Sequence, residues 1–496
     1  MAAIVLNRKE YLDKVYACWL GKNIGGTLGA PYECKKYTHD LTYYDPVPDK
    51  SAPNDDLDLQ LVWLVMLENE GLPPRLATFG RYWKTFLHKY PWNEYGFCNR
   101  NLARGLTPPV SGWFENCFVD EMGSPIRSEL WACIAPADPQ TAASLAWMDS
   151  AMDHAGGEGT HGEMFWAAVE SAAFVIDDPV ELIRIGLAMI PPACNISRVI
   201  REALWCWRHG VRYDDARERI TSIYATEQPC HAAANHGFTV LGLLYGASFG
   251  DKLCKTVNCG YDTDCTGATL GALLGIMGGT ACIPAAWSRP VGTRIVLHPF
   301  TIDCGVPKTL KELTARTGRL AGQLAAETGS VVSFGATQRV PAGVLSLLHR
   351  NEKAFAALRQ DVRCGSAAEG LVEVFLHYNG DPVLQPGVAR RMAVTARTRG
   401  REVPGTARVR VPRGWHAEPA RGAVPFSFDL VAPAYTAPAK IVVDFNASGV
   451  ACRAAFTVLS PNDAQGYPNI VRSSDWKPGM KINTWSSRKP SISFSK

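Results

Sequence analysis

The stretch Asn258–Gly275, NCGYDTDCTGATLGALLG, combines a glycine-bearing turn, two acids two residues apart and an apolar helical run. Glycines recur every four residues in that run, at Gly267, Gly271 and Gly275. This spacing leaves one helix face without side chains, so another backbone can approach it closely. A capped, tightly packed helix would explain the glycines. It does not explain the two unpaired acids, Asp262 and Asp264, in front of them.

A second acidic helix start lies at Pro53–Asp58, PNDDLD, ahead of leucines at helical spacing. Asp55 and Asp56 can point oxygens outward while the helix turns away beneath them. Taken alone, the segment favours a plainer interpretation. Asn and Asp commonly cap a helix, and acids are favoured at its positive end.

A third segment, Gly21–Glu33, reads GKNIGGTLGAPYE and predicts a glycine-rich helix or helix end that leads to one acid, Glu33. Its glycines are wrongly placed for a phosphate-binding Walker motif, and the sequence before it shows no apparent β-strand pattern. Alone, this segment carries little information.

The composition is that of a globular protein, with 47% apolar and 20% charged residues among 496. The net charge of +4 is too small to call for nucleic acid or an anionic membrane as partner. No apolar run is long enough to span a bilayer. Met1–Asn7 lacks the features of a signal peptide, and the fifteen cysteines are scattered, so we expect a cytoplasmic protein with thiols. The oligomeric state cannot be predicted.

The chain changes texture along its length, which predicts a multidomain protein. Residues 1–345 read as helices between Gly/Pro-rich turns, including an amphipathic helix over Leu310–Thr328. Residues 346–367 are predicted as a linker, residues 368–460 as a β-sandwich, and residues 461–496 as an irregular tail. The predicted strands are Leu371–Tyr378, Met392–Thr398, Ala407–Val411, Phe426–Val431, Ile441–Phe445 and Ala455–Leu459. The turn Val411–Trp415 is similar to one in immunoglobulin-like accessory domains of some carbohydrate-active enzymes.

Together, the three acidic and glycine-rich segments resemble the ADP-ribosylglycohydrolase family in order, spacing and flanking helices over about residues 1–290. That family opens with a G-x-x-x-G-D-x-x-G-x-x-x-E segment, continues with T-D-D-T, and closes its site with G-D-T-D-T-x-G-A-x-x-G. Met122–Arg127 and Asp149–His154 resemble two intermediate segments. The resemblance implies an all-α orthogonal bundle with two Mg²⁺ or Mn²⁺ ions in a central cleft.

The resemblance also implies roles for particular residues. The implied metal ligands are Asn54, Asp55, Asp56, Asp262, Asp264 and Cys265. Glu33 and Asp56 are the implied catalytic residues, with Glu33 as general acid/base or as the group that positions water. The chemistry agrees, because clustered carboxylates suit Mg²⁺ or Mn²⁺ better than zinc and repel each other without a cation.

This sequence departs from the family pattern at three places. Asn54 replaces the first threonine of the second motif, and Gly26 replaces the acid of the opening motif. Cys265 falls where the last threonine ligand is expected, with Thr266 one place later. A thiol is a poor ligand for Mg²⁺, so either one metal site is altered or Thr266 replaces the missing ligand.

Six further residues are candidates for binding substrate: Asn93, Glu94, Tyr95, Gly123, Ser124 and His154. The aromatic and polar run Tyr90–Gly96 is typical of sugar- or adenine-binding loops, although core packing at a turn is the commoner cause. Gly123 and Ser124 can offer backbone N–H groups to a diphosphate, or form a plain turn. His154 either contacts a substrate phosphate or has a structural role.

These features predict a metal-dependent hydrolase of an N- or O-glycosidic bond to ribose, with a small-molecule or protein-linked ADP-ribosyl adduct as the default substrate. Two alternatives stay open. One is a glycoside hydrolase acting on another furanoside, a nucleoside or an oligosaccharide. The other is a non-catalytic module that binds ADP-ribose or another sugar, against which the retention of Glu33 and four aspartates argues.

Overall fold

The computed structural model describes residues 4–328, 330–447 and 450–461. The predicted tail beyond Pro461 therefore lies outside the described residues. The α-helices are α1 (Arg8–Gly29), α2 (Asp55–Glu70), α3 (Leu76–Tyr82), α4 (Asn93–Ala103), α5 (Val110–Trp113), α6 (Ser128–Ile134), α7 (Pro139–Ser150), α8 (Glu158–Ala172), α9 (Pro179–Ala188), α10 (Asn195–Arg208), α11 (Tyr213–Tyr224), α12 (Ala232–Tyr245), α13 (Phe249–Asn258), α14 (Thr263–Gly278), α15 (Ala285–Val291), α16 (Leu310–Thr328), α17 (Val344–Leu348) and α18 (Glu352–Leu358).

The strands follow mostly in the C-terminal part of the chain. They are β1 (Ile4–Asn7), β2 (Val332–Gly335), β3 (Cys364–Glu369), β4 (Val372–His377), β5 (Arg390–Thr398), β6 (Arg401–Glu402), β7 (Gly405–Arg410), β8 (His416–Glu418), β9 (Arg421–Val424), β10 (Phe426–Val431), β11 (Ala439–Ala447) and β12 (Val450–Val458). A helical first part followed by antiparallel strands confirms the predicted fold class, and α16 has the predicted bounds.

The described chain divides into two compact units. The first unit comprises residues 1–72, 120–150 and 157–359, and the second comprises 73–119, 151–156 and 360–496, each within the described residues. The segment predicted as a linker contains α18 and the start of β3. Because the units reflect packing in space and the predicted limits reflect chain texture, the domain limits at residues 345 and 368 stay predictions.

Within the first unit, α1 and α14 pack backbone to backbone through their glycines. A Cβ atom added to Gly25 would lie 1.8 Å from the carbonyl oxygen of Gly267, and one added to Gly21 would lie 2.0 Å from that of Gly271. No side chain fits at such a distance, so only glycine permits this contact. The close approach predicted from the spacing is confirmed, and the partner is the other glycine-rich helix.

The first unit is not purely helical. Strand β1, just before α1, pairs in parallel with β2, which follows α16, from Ile4 opposite Val332 to Asn7 opposite Gly335. Asn7 then caps α1, because its Oδ1 accepts the N–H groups of Lys9 at 2.9 Å and Glu10 at 3.1 Å. This pair holds the start of α1 and so fixes the helix that ends near Glu33.

The second unit contains two antiparallel sheets. One has the order β3-β4-β5-β10-β8, with β6 paired to β5, and the other has the order β12-β11-β7-β9. Side chains alternate along the strands, as in β10, where Phe426, Phe428 and Leu430 are buried, because successive residues point to opposite faces. Apolar side chains from both sheets form one core together with residues of α5.

Among the described residues, no helix is both long enough and apolar enough to cross a bilayer.

Candidate active site

Three elements of the first unit place the predicted acids. Asp55 is the first residue of α2, Asp262 immediately precedes α14, and Glu33 follows the 3₁₀ turn Ala30–Tyr32 at the end of α1. Asn54 and Asp262 stand at the N-cap positions, yet neither side chain makes a capping hydrogen bond within the described residues. Side-chain capping by Asn54 and Asp262 is therefore not observed, although acids do lie in the first turn of α2.

The two acidic segments, far apart in sequence, meet in space. Carboxylate oxygens of Asp56 and Asp264 and the sulfur of Cys265 lie within 4.8 Å of one another. The Cys265 thiol donates to Oδ1 of Asp56 at 3.3 Å. Among the described residues, Asp56 Oδ2, Asp262 Oδ1 and Asp264 Oδ1 are buried without a hydrogen-bond partner. We call Glu33, Asp55, Asp56, Asp262, Asp264 and Cys265 the acid cluster.

Burial and mutual repulsion disfavour the charged forms of these acids. Burial raises the pKa of Asp56 to about 8, and the neighbouring Asp55 and Asp262 raise it as well. The Lys22 ammonium group opposes this rise. Burial also raises the pKa of Asp264 well above its usual range, and Glu33 and Asp56 raise it further. Buried carboxylates at such distances need a neutralising partner, either protons or a cation.

Glu33 lies at the edge of this cluster. Its side chain is exposed, yet the surrounding atoms desolvate the carboxyl group, and the nearby Cys34 and Asp262 add to the rise in its pKa. A solvent-exposed acid with a raised pKa has the properties of a general acid/base.

Lys22 interacts electrostatically with Asp56 of the acid cluster, and the sequence did not predict this role. Its side chain is fully buried, and its ammonium group donates to Glu129 Oε1 at 2.8 Å and to the Ile126 carbonyl at 3.0 Å. Gln60 also donates to Glu129, at 2.8 Å. A lysine in a glycine-rich helix carries no sequence signal for such a role, because the partner lies far along the chain.

Glu121 is a second residue that the sequence did not reveal. The backbone places it, because Met122 N–H donates to the Cys230 carbonyl at 2.9 Å and Ala232 N–H donates to the Asp120 carbonyl at 2.7 Å. Its side chain is only 3% exposed, and its Oε2 has no partner among the described residues. Burial raises the pKa of Glu121 to about 8, and the neighbouring Asp262 contributes.

The sequence matches the ADP-ribosylglycohydrolase family over residues 7–331. The chain belongs to this family. The chain is also similar to a solved structure described as an ADP-ribosylglycohydrolase-related protein complex, with 20% identity and a TM-score of 0.43 over 64% of this chain and 99% of that one. No curated protein matches the sequence. Membership in the family supports an enzyme with glycohydrolase activity in general.

Two departures of this chain from the family motifs compensate each other. A Cβ atom at Gly26 would lie 2.7 Å from Nδ2 of Asn54, so the Asn54 amide fills space that a side chain at position 26 would need. At the third departure, Cys265 lies in the acid cluster. The Thr266 hydroxyl donates to the Asp262 carbonyl at 2.8 Å, and its replacement of the missing ligand stays a prediction.

Gly123 and Ser124, two of the predicted substrate-binding residues, belong to the first unit and are buried. The Ser124 hydroxyl donates to Glu163, and the Gly123 carbonyl accepts from Arg127 Nη1 at 2.7 Å. These contacts match the plain-turn alternative. A role of the two residues in binding diphosphate stays a prediction.

The other four predicted substrate-binding residues belong to the second unit. Tyr95 is 2% exposed and packs against Trp83 and Tyr90, which matches the alternative of core packing. His154 is fully buried, with Nδ1 at 2.9 Å from Asp153 Oδ1 and Nε2 at 3.8 Å from Glu94 Oε1. Asn93 begins α4 and is also buried. His154 therefore has the surroundings of a structural histidine, and substrate contacts of these four residues stay predictions.

Proposed function

We propose that the protein is a Mg²⁺- or Mn²⁺-dependent hydrolase that cleaves an N- or O-glycosidic bond to ribose, with an ADP-ribosyl adduct as the default substrate. The observation that carries the proposal is that carboxylate oxygens of Asp56 and Asp264 lie within 4.8 Å of each other, with Asp262 near enough to raise the pKa of both. Each of the three aspartates has a buried oxygen that lacks a hydrogen-bond partner among the described residues. Membership in the ADP-ribosylglycohydrolase family gives the reaction class.

The donor set fits hard divalent cations. Asp55, Asp56, Asp262 and Asp264 supply carboxylate oxygens, and the Asn54 carbonyl can add a neutral one, as Mg²⁺ and Mn²⁺ prefer. We propose that these residues hold two ions. When bound, the ions would supply Lewis-acid chemistry, gripping vicinal hydroxyls of the ribose and polarising the attacking water.

The remaining chemistry falls to the protein's own side chains. We propose that Glu33 holds or transfers the proton at the scissile bond, since its carboxyl group combines solvent exposure with a raised pKa. Asp56 shares the metal and catalytic roles, because its carboxylate accepts from the Cys265 thiol and is acted on electrostatically by Lys22. Lys22 offsets part of the negative charge and orients Asp56 through Coulomb attraction.

The proposal is tested by a hydrolysis screen on EDTA-stripped protein with Mg²⁺ or Mn²⁺ added back. The substrates are ADP-ribosyl-arginine, ADP-ribosyl-serine, nucleosides and aryl furanosides. We expect metal-dependent release of ADP-ribose, abolished in Asp262→Ala and retained in Asp178→Asn, an exposed position at the start of α9. Turnover that is indifferent to EDTA would contradict the proposal.

The altered ligand Cys265 and the Asn54–Gly26 pair favour a second candidate, hydrolysis of another furanoside, a nucleoside or an oligosaccharide. Turnover of aryl furanosides or nucleosides alone would select it. Binding of ADP-ribose without any turnover would select the non-catalytic module. The expectation of a cytoplasmic protein stays part of the proposal and rests on the scattered thiols.

A further inference from the structure

A second group of potential metal ligands borders the acid cluster and differs from it in chemistry. A carboxylate oxygen of Glu33 and the sulfur atoms of Cys34 and Cys230 lie within 4.8 Å of one another. The Cys34 sulfur lies 3.8 Å from Glu33 Oε1, and the Cys34 and Cys230 side chains are hydrogen bonded to each other. Two sulfurs and one oxygen form a softer donor set than the aspartates beside them.

The backbone holds both thiols in place before any ligand arrives. Cys34 N–H donates to the Tyr261 carbonyl at 2.8 Å, and Cys34 has a φ of 64°, a left-handed conformation that is costly for a residue with a side chain. On the other side, the carbonyl of Cys230 accepts the Met122 N–H at 2.9 Å. Two independently anchored segments thus bring the sulfurs together.

We propose that Glu33, Cys34 and Cys230 form a binding site for Zn²⁺ or a similarly soft divalent cation. In a tetrahedral zinc site with Zn–S bonds of about 2.3 Å, two sulfurs lie about 3.8 Å apart, so the cluster needs only a small contraction. Binding replaces the two S–H bonds by Zn–S bonds and releases two protons to solvent, without an oxidant. Water takes the fourth position, as in open zinc sites.

The hydrogen bond with Cys34, burial and the acidic surroundings raise the pKa of the Cys230 thiol, and a bound cation would offset the negative charge of these surroundings. Glu121 and Asp262 both act electrostatically on Cys230, and Glu121 is buried with one oxygen unpartnered among the described residues. Zinc bound here would occupy the carboxylate of Glu33. If Glu33 is the general acid/base of the proposed function, Zn²⁺ would therefore inhibit hydrolysis that Mg²⁺ or Mn²⁺ supports.

The full chain, saturated with Mg²⁺, is titrated with Cd²⁺ while thiolate-to-cadmium charge-transfer absorption is followed in the near ultraviolet. We expect an absorption band that Zn²⁺ displaces, and weakening of Cd²⁺ affinity on the order of 100-fold in Cys34→Ser and in Cys230→Ser. Cys194→Ser and Cys364→Ser serve as matched controls, since each removes the one thiol of another possible metal cluster. A band that persists in Cys34→Ser and Cys230→Ser would overturn the proposal.

A second measurement needs no variant and remains decisive if a serine variant fails to fold. The wild-type protein is alkylated with iodoacetamide, with and without Zn²⁺, and modification of each cysteine is read by mass spectrometry. We expect Zn²⁺ to slow alkylation of Cys34 at least about tenfold and to leave the exposed Cys117 unchanged. Equal alkylation of Cys34 in both samples would refute the site. The cadmium absorption and the alkylation rate can both be measured without an active enzyme. If Zn²⁺ binds but does not inhibit hydrolysis, that result would count against the role of Glu33 and not against the zinc site.

Discussion

Without metal, the variant Asp264→Asn should be more stable than the wild-type protein. When Mg²⁺ is present, the variant should be less stable than the wild type. The variant keeps the shape of the side chain and removes one charge. Oxygens of Asp264 and Asp56 lie within 4.8 Å, which at an effective dielectric constant of about 20 corresponds to a repulsion of about 3 kcal/mol between full charges. Protonation relieves part of this repulsion, so we expect a gain of about 1–2 kcal/mol in EDTA at pH 8.

The gain should depend on pH in a defined direction. Because the pKa of Asp56 is raised from 3.8 to about 8, the folded protein binds more protons than the unfolded chain between these values. The free energy of unfolding of the metal-free wild type therefore falls as pH rises through this window. The stability of Asp264→Asn relative to wild type should therefore increase as pH rises, and it should be smallest near pH 4.

Magnesium should reverse the order of stability. A ligand at 100 times its dissociation constant stabilises the folded state by about 2.7 kcal/mol, and we expect this gain in wild type and not in the variant. Urea unfolding in EDTA and in Mg²⁺ measures both effects. Asp178→Asn is the control, because it is the same substitution at an exposed helix cap. An Asp264→Asn variant that is less stable than wild type in EDTA, or equally stabilised by Mg²⁺, would refute the reasoning.

Three further substitutions test individual residues. Glu33→Gln should leave Mn²⁺ affinity largely intact in calorimetry and lower turnover on the order of 10²-fold, because the amide cannot exchange the proton; unchanged turnover would remove Glu33 from the mechanism. Cys265→Thr should tighten Mg²⁺ binding in calorimetry if the thiol is a poor ligand. Weaker binding of Mn²⁺ or Zn²⁺ would show that the sulfur ligates a softer ion, and no change with any ion would place Cys265 outside the ligand shell. Gly25→Ala should lower the free energy of unfolding by about 3 kcal/mol, since its Cβ would lie 1.8 Å from a backbone oxygen. Gly322→Ala, with open space around the added Cβ, should instead raise it, and equal effects of the two variants in urea unfolding would contradict the proposed helix packing.

Local patterns predicted much of the fold because they record burial directly. The run Phe426–Val431 alternates apolar and polar residues and forms β10 with the same bounds. The strand β3, CGSAAE, escaped prediction because its small residues show no alternation, and most of it lies at the end of the predicted linker. The helices α3 to α5 belong to the unit that contains the two antiparallel sheets. The periodicity of a helix cannot indicate the unit to which it belongs.

The acids of the candidate site were readable because each lies at the start of a helix or just after one, next to a distinctive glycine or apolar pattern. Lys22, Glu121 and Cys230 carry no such pattern. Glu121 reaches the acid cluster only because its backbone pairs with the segment around His231, which is distant in sequence. Contacts of this kind depend on the packing of the whole unit, so no local feature of the sequence predicts them.

Diffraction from crystals soaked in Mn²⁺ would show directly whether the acid cluster holds divalent cations. Anomalous scattering identifies manganese without reference to activity. We expect two anomalous peaks between the carboxylates of Asp55, Asp56, Asp262 and Asp264, each about 2.0–2.4 Å from its oxygen ligands. A fully soaked crystal with no peak among these four carboxylates would contradict this expectation.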